Sequence, residues 1–141
     1  MKAYYNNCSI SSECAPNLEG TWNLIGTIFP RKNKMEQPDF KDIEVRIFKE
    51  EVTQRGVFLV FKEDTRARMG VLTLMNSIWT LKIVDDDDNG VITLVPKIRG
   101  DYTCWVGNYA EPGFDDRPEQ SQTVATVELK KLNVHHCCCQ K

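Results

Sequence analysis

The feature that most constrains the fold of this chain is a strict alternation of apolar and polar side chains. In Ile43–Ile47, Glu44 and Arg46 separate apolar residues from one another. Successive side chains of a β-strand point to opposite faces, so this period of two predicts a strand with one buried face. No segment shows the 3.6-residue apolar period of an amphipathic helix. The pattern therefore predicts an all-β protein.

Further strand signals are separated by turn signals along the chain. The eight predicted strands are Gly20–Phe29, Ile43–Ile47, Val57–Phe61, Met69–Met75, Ile78–Val84, Gly90–Val95, Tyr102–Tyr109 and Thr123–Leu132. Asn76-Ser77, Asn89-Gly90 and Arg99-Gly100-Asp101 fall between neighbouring strands and are typical of hairpin turns. Short turns favour an up-and-down meander, and closure into a barrel removes its edges. We expect a single antiparallel up-and-down eight-stranded barrel, with a β-sandwich as the alternative.

Length and charge limit the organisation of the chain and its partners. The 141 residues suit one domain. We divide them into a polar, cysteine-containing N-terminal arm (1–19), the barrel (20–132) and a His/Cys-rich C-terminal tail (133–141). A net charge of −2 argues against nucleic-acid binding, and no apolar run is long enough to span a membrane. Met1–Pro16 lacks an apolar signal core, so we expect cytoplasmic synthesis without a signal peptide.

The segment Asn17-Leu18-Glu19-Gly20-Thr21-Trp22 resembles the opening of calycin barrels, the lipocalins, fatty-acid-binding proteins and avidins. In those families a Gly-x-Trp motif begins the first strand, and its Trp packs across the closed end of the barrel. Gly100-Asp101-Tyr102 is loosely similar to a second lipocalin motif. The resemblance implies a calycin-like barrel in which Gly20 and Trp22 are structural.

Aromatic side chains are the candidates for contact with a ligand. An eight-stranded barrel is just wide enough to be filled by side chains or to hold one small ligand. The candidates are Trp79, Trp105, Tyr102 and Phe58. Trp79 shares a strand face with Leu81 and Ile83, so we expect it to point inward. Alternation alone leaves the facing of Trp105 and Tyr102 open.

Most of the cysteines lie in the arm and the tail. They are Cys8, Cys14, Cys137, Cys138 and Cys139, and His135 and His136 adjoin the last three. Cys and His are zinc ligands, so Cys8, Cys14, His136 and Cys137–Cys139 are metal candidates as well as disulfide candidates. A disulfide between arm and tail, or contact with a partner subunit, is favoured over metal.

The acidic run Asp85–Gly90 carries oxygen ligands at the spacing of the first half of a calcium loop. The twelfth position, where an EF-hand has a bidentate Glu, is Pro96. We therefore interpret this run as a solvated acidic turn between two strands.

Two functions stay open from the sequence, and neither is enzymatic. The only histidines lie in the tail, and phosphate-binding and zinc-hydrolase motifs are absent, so we predict no catalysis and no cofactor. The first function is binding of a small apolar ligand in the barrel. The second is a structural role in a large particle such as a virion, with the barrel surface and Cys-rich tails contacting neighbouring subunits, including copies of this chain. Cavity volume distinguishes a ligand site from a packed scaffold.

Overall fold

The computed structural model describes residues 14–28, 40–84, 90–111 and 122–132. Within these ranges the chain forms eight strands: β1 (Gly20–Ile28), β2 (Phe40–Thr53), β3 (Gly56–Glu63), β4 (Arg66–Met75), β5 (Ile78–Val84), β6 (Val91–Ile98), β7 (Asp101–Glu111) and β8 (Gln122–Lys131). Consecutive strands pair antiparallel, and β1 pairs with β8 to close the barrel. This closed up-and-down arrangement confirms the predicted fold and excludes the β-sandwich. In the described ranges, no helix is apolar and long enough to cross a bilayer.

Several strands extend beyond their predicted ends. The strongest case is β2, which runs to Thr53 past a register irregularity between Lys49 and Glu51. Such a bulge bends a strand and lets it continue beyond the regular apolar alternation. The predicted turn at Asn76-Ser77 is confirmed, because both residues have the positive φ angles, 51° and 68°, of a type I′ hairpin turn. Asn89 lies outside the described residues.

Cross-strand pairing brings the inward-facing apolar residues into one core. On β5 and β6, for example, Leu81 pairs with Leu94 and Ile83 pairs with Ile92, and all four are buried. The same alternation on the other strands completes a continuous cluster around the barrel axis. Each fully buried side chain of this size contributes about 1.5–3 kcal/mol relative to an exposed one.

The end of the barrel that holds the start of β1 is organised around Trp22, and we call it the Trp22 end. The turns β2–β3, β4–β5 and β6–β7 lie at this same end, because the strands alternate in direction. Leu18 is buried there, and its carbonyl accepts a 2.9 Å hydrogen bond from Trp22 Nε1. Lys131 Nζ lies 5.8 Å from the Trp22 ring centroid. The residues of the sequence motif therefore meet at one end of the barrel.

Two residues of that motif shape the backbone before β1. The side-chain oxygen of Asn17 accepts a 3.0 Å hydrogen bond from the Glu19 amide, which forms an Asx turn. Gly20 has a φ of 137°, a conformation that L side chains rarely adopt. Glu19 Oε2 then accepts a 3.1 Å bond from the Lys49 amide. The turn is thereby attached to β2.

Candidate functional site

The pairing of β5 with β6 ends early at the Trp22 end. Its ladder runs from Val84–Val91 to Leu81–Leu94, although both strands continue beyond that point. Pro96 has no amide hydrogen to give to a ladder, and the register irregularity between Pro96 and Ile98 bends β6. The two strands therefore separate, and a cleft opens between them.

The cleft has a volume of about 310 Å³. Its lining residues are Asn76, Ser77, Ile78, Trp79, Val95, Pro96, Arg99, Gly100 and Tyr102. The volume lies at the lower end of the range for small-molecule sites, about 300–1,000 Å³. Ile78 is 51% exposed and Val95 is 37% exposed, so apolar surface faces solvent where the cleft opens. This space can hold a compact, largely apolar molecule.

Two of the four predicted ligand-contact residues, Trp79 and Tyr102, line this cleft. Trp105 is fully buried, with its ring centroid 5.9 Å from that of Tyr102. Its Nε1 donates a 3.0 Å hydrogen bond to the Tyr102 carbonyl, which fixes the backbone beneath the cleft. Phe58 lies on β3, outside the cleft lining, and the side chains on either side of it, Val57 and Leu59, are the buried ones.

Among the tryptophans that the structure describes, Trp79 differs from the others because its indole N–H has no protein acceptor. The indole of Trp22 donates to the Leu18 carbonyl, and that of Trp105 to the Tyr102 carbonyl. Across the described ranges, every buried side-chain nitrogen and oxygen atom has a partner. The Nε1 atom of Trp79 therefore reaches solvent, although the residue as a whole is only 7% exposed. Because this donor has no acceptor in the described protein, it is available to a ligand.

Arg99 is the charged residue among those that line the cleft. In the part of the chain that the structure describes, its guanidinium forms no ion pair and no side-chain hydrogen bond. The neighbouring carboxylate of Asp101 accepts bonds from the Thr103 amide and hydroxyl, at 3.0 and 2.6 Å. Lys97 lies 3.6 Å from the carboxylate of Glu128 instead of lining the cleft. The charged group at the cleft is thus an uncompensated cation.

At the other end of the barrel, an inward ion pair covers a small interior space. Arg68 Nη1 lies 2.8 Å from Glu63 Oε1, and their side chains are 16% and 18% exposed. The cavity lined by this pair and by Leu24, Val45, Phe61, Ile83, Ile92 and Leu129 has a volume of about 10 Å³. That volume holds about one water molecule. Sequence reasoning missed the pair, although Glu63 continues the inward alternation of β3.

The structure describes only part of the predicted metal or disulfide cluster. Cys14 is not a free thiol, whereas Cys8, His136 and Cys137–Cys139 lie outside the described residues, as does the acidic run 85–89. Over residues 14–28, 40–84, 90–111 and 122–132, no three His, Cys, Asp or Glu side chains are grouped to hold a metal ion. Cys104, which sequence reasoning gave no role, is a buried thiol outside any disulfide, and its Sγ lies 3.7 Å from Glu128 Oε2.

No family model matches this chain, and no curated protein and no solved structure is significantly similar to it. The fold is therefore established by the strand order and register of the chain itself.

Proposed function

We propose that this chain is a non-catalytic, calycin-like binding protein whose ligand is a small, largely apolar molecule seated in the cleft between β5 and β6. The observation that carries the proposal is the cleft of about 310 Å³, in which two of the predicted aromatic contacts, Trp79 and Tyr102, meet exposed apolar side chains. Sites of this kind are concave and mostly apolar, with a few polar groups that orient the ligand.

The volumes favour the cleft over the barrel interior as the binding site. The interior space beneath Arg68 and Glu63 has room for about one water molecule. The cleft is about thirty times larger by the same measure, 310 against 10 Å³. A ligand that displaces water from the cleft gains roughly 25 cal/mol for each Å² of apolar surface removed from water.

The chemistry of the lining favours binding without turnover. Ser77 is the lining residue with an aliphatic hydroxyl, and no lining residue carries an imidazole, carboxylate or thiol that could act as its base. Nucleophilic catalysis by serine needs a base within hydrogen-bond reach. Trp79, Pro96 and Tyr102 instead offer flat apolar surface to a ligand.

Substitution of a cleft residue tests the proposal with a neutral fluorescent probe, N-phenyl-1-naphthylamine. We expect Ile78→Asn to weaken binding of the probe at least about fivefold, because the loss of apolar contact costs on the order of 1 kcal/mol. Met75→Asn is the matched control, since Met75 is the cross-strand partner of Ile78, is similarly exposed and does not line the cleft. Equal affinity for wild type and Ile78→Asn would exclude the cleft as the binding site. No binding of any apolar probe would refute the function.

The assembly role remains a second candidate because of an apolar row on the outer face of the barrel. Phe48, Val60, Met69 and Val84 are successive cross-strand partners on β2 to β5. Three of them, Phe48, Met69 and Val84, are 40–46% exposed. A contiguous exposed apolar patch often marks a protein contact. A second copy of this chain is the partner that we propose for this row.

A further inference from the structure

We infer that the ligand of the cleft is a compact aromatic anion, whose acidic group is bound by Arg99 and by the indole N–H of Trp79. This inference rests on the proposed function and names the class of molecule that the same site accepts.

Two donor groups of the cleft favour a ligand acceptor with negative charge. The guanidinium of Arg99 has no carboxylate partner, and the indole N–H of Trp79 has no acceptor in the described chain. Both groups can only donate hydrogen bonds, whereas the other polar side chains of the lining, Asn76, Ser77 and Tyr102, can donate or accept. No carboxylate lines the cleft, so an anion meets no like charge from the lining residues. A guanidinium binds a carboxylate or a similar oxyanion in a bidentate geometry.

The apolar part of the cleft selects for a flat ring. Trp79 and Tyr102 supply aromatic surface, and Pro96 supplies a third ring. Aromatic rings pack favourably in offset or edge-to-face arrangements, beyond the gain from burial of their area. The volume of about 310 Å³ leaves space for a compact ring system but not for a large ligand. A fused bicyclic acid satisfies both requirements.

Two probes that differ only in the acidic group test this inference, namely 2-naphthoate and the neutral 2-naphthalenemethanol. Dissociation constants are measured by NMR titration of the tryptophan indole N–H signals. Trp22 and Trp105 serve as internal references, because their indoles are buried and bonded to backbone carbonyls. We expect 2-naphthoate to bind more tightly than the alcohol and to shift the Trp79 signal selectively. Raising the salt concentration should weaken the binding of 2-naphthoate and leave the affinity for the alcohol unchanged.

The decisive variant is Arg99→Gln. It should lower the affinity for 2-naphthoate about threefold to tenfold, as expected for loss of one charge-assisted hydrogen bond at a partly exposed site. The affinity for the alcohol should stay unchanged. Arg55→Gln is the matched control, because Arg55 lies in the β2–β3 turn at the same barrel end and does not line the cleft. Thermal melting of each variant establishes that it is folded.

Each outcome separates the inference from the proposed function. Equal binding of both probes to wild type and to Arg99→Gln overturns the inference and leaves the proposed function standing. Tighter binding of the alcohol than of the anion has the same meaning. No binding of either probe overturns both. An equal loss of 2-naphthoate affinity in Arg99→Gln and Arg55→Gln would mean that the loss comes from the change in net charge. That result overturns the assignment of the anion contact to Arg99.

Discussion

The indole of Trp22 combines several contacts at the point where the first strand begins. Its side chain is completely buried, its N–H donates to the Leu18 carbonyl, and Lys131 lies over its ring. A tryptophan that is both packed and hydrogen-bonded orders the residues around it more than an aliphatic side chain does. Trp22 thus attaches Leu18, which precedes β1, to Lys131 at the end of β8.

Replacement of Trp22 should show how much stability this end provides. We expect Trp22→Ala to lower the free energy of unfolding by roughly 3–5 kcal/mol, the range for deletion of a large buried aromatic side chain. Trp22→Phe keeps a ring but loses the bond to Leu18, and should cost less. Urea denaturation followed by circular dichroism measures both values. An unchanged midpoint for Trp22→Ala would contradict a stabilising role for Trp22 at this end of the barrel.

At the scale of strands, alternation and turn residues were sufficient to locate the barrel elements. Ile78–Val84 was predicted with the bounds that the structure shows for β5, because its apolar alternation is regular and a type I′ turn precedes it. The extension of β2 to Thr53 was not predictable, because the bulge between Lys49 and Glu51 breaks the alternation. Strand ends beyond a bulge depend on pairing with the neighbour, which a single sequence does not reveal.

The candidate site was predictable only in part, for a related reason. The inward direction expected for Trp79 follows from its neighbours on β5, and the structure buries it. Tyr102 and Trp105 lie on one strand, and their different positions depend on the register of β7 against β6 and β8. Arg99 gave no sequence signal, because an arginine in a turn is ordinary. Its importance comes from the separation of β5 and β6, which is a property of the folded barrel.

The outer apolar row leads to a prediction about self-association. If two copies meet across this row, Met69→Lys should weaken the association at least about tenfold, because an unpaired charge at a buried contact costs several kcal/mol. Thr126→Lys is the control, since Thr126 is exposed on the outer face of β8, away from the row. Sedimentation velocity over a series of concentrations gives the association constants. A monomeric wild type at every concentration would remove the proposed contact.

For the molecule as a whole, the Trp22 end combines the most buried aromatic packing with the candidate cleft. Trp22 and Trp105 are both completely buried, and Trp105 supports the Tyr102 backbone that lines the cleft. A site that rests on locked side chains is preorganised, so less free energy is lost when the ligand is ordered. Its preference for an anion then depends on two lining donors that have no partner in the described part of the chain, Trp79 Nε1 and the Arg99 guanidinium.

The last prediction concerns the connection between the two ends of the chain. Cys14 is not a free thiol, and we propose that it, or Cys8, is joined to one of the tail cysteines Cys137–Cys139. Cys14 and Cys137 are 123 positions apart (137 − 14 = 123), so such a bridge closes most of the chain into a loop. Chain-entropy arguments give a stabilisation of roughly 4–5 kcal/mol for a loop of this length, less any strain.

Reductant should therefore lower the melting temperature, whereas a chelator should not. If zinc holds the two ends together, a chelator should lower the melting temperature, because removal of the metal destabilises the protein. Contacts between subunits would instead make the melting temperature depend on dilution, by mass action.

Mass spectrometry after alkylation without reductant counts the free thiols directly. Cys104 is buried and unbridged, so the count must be made on denatured protein to include it. Alkylation of all six cysteines would rule out the disulfide. A native mass without metal would then leave contact between subunits as the interaction that holds the two ends of the chain.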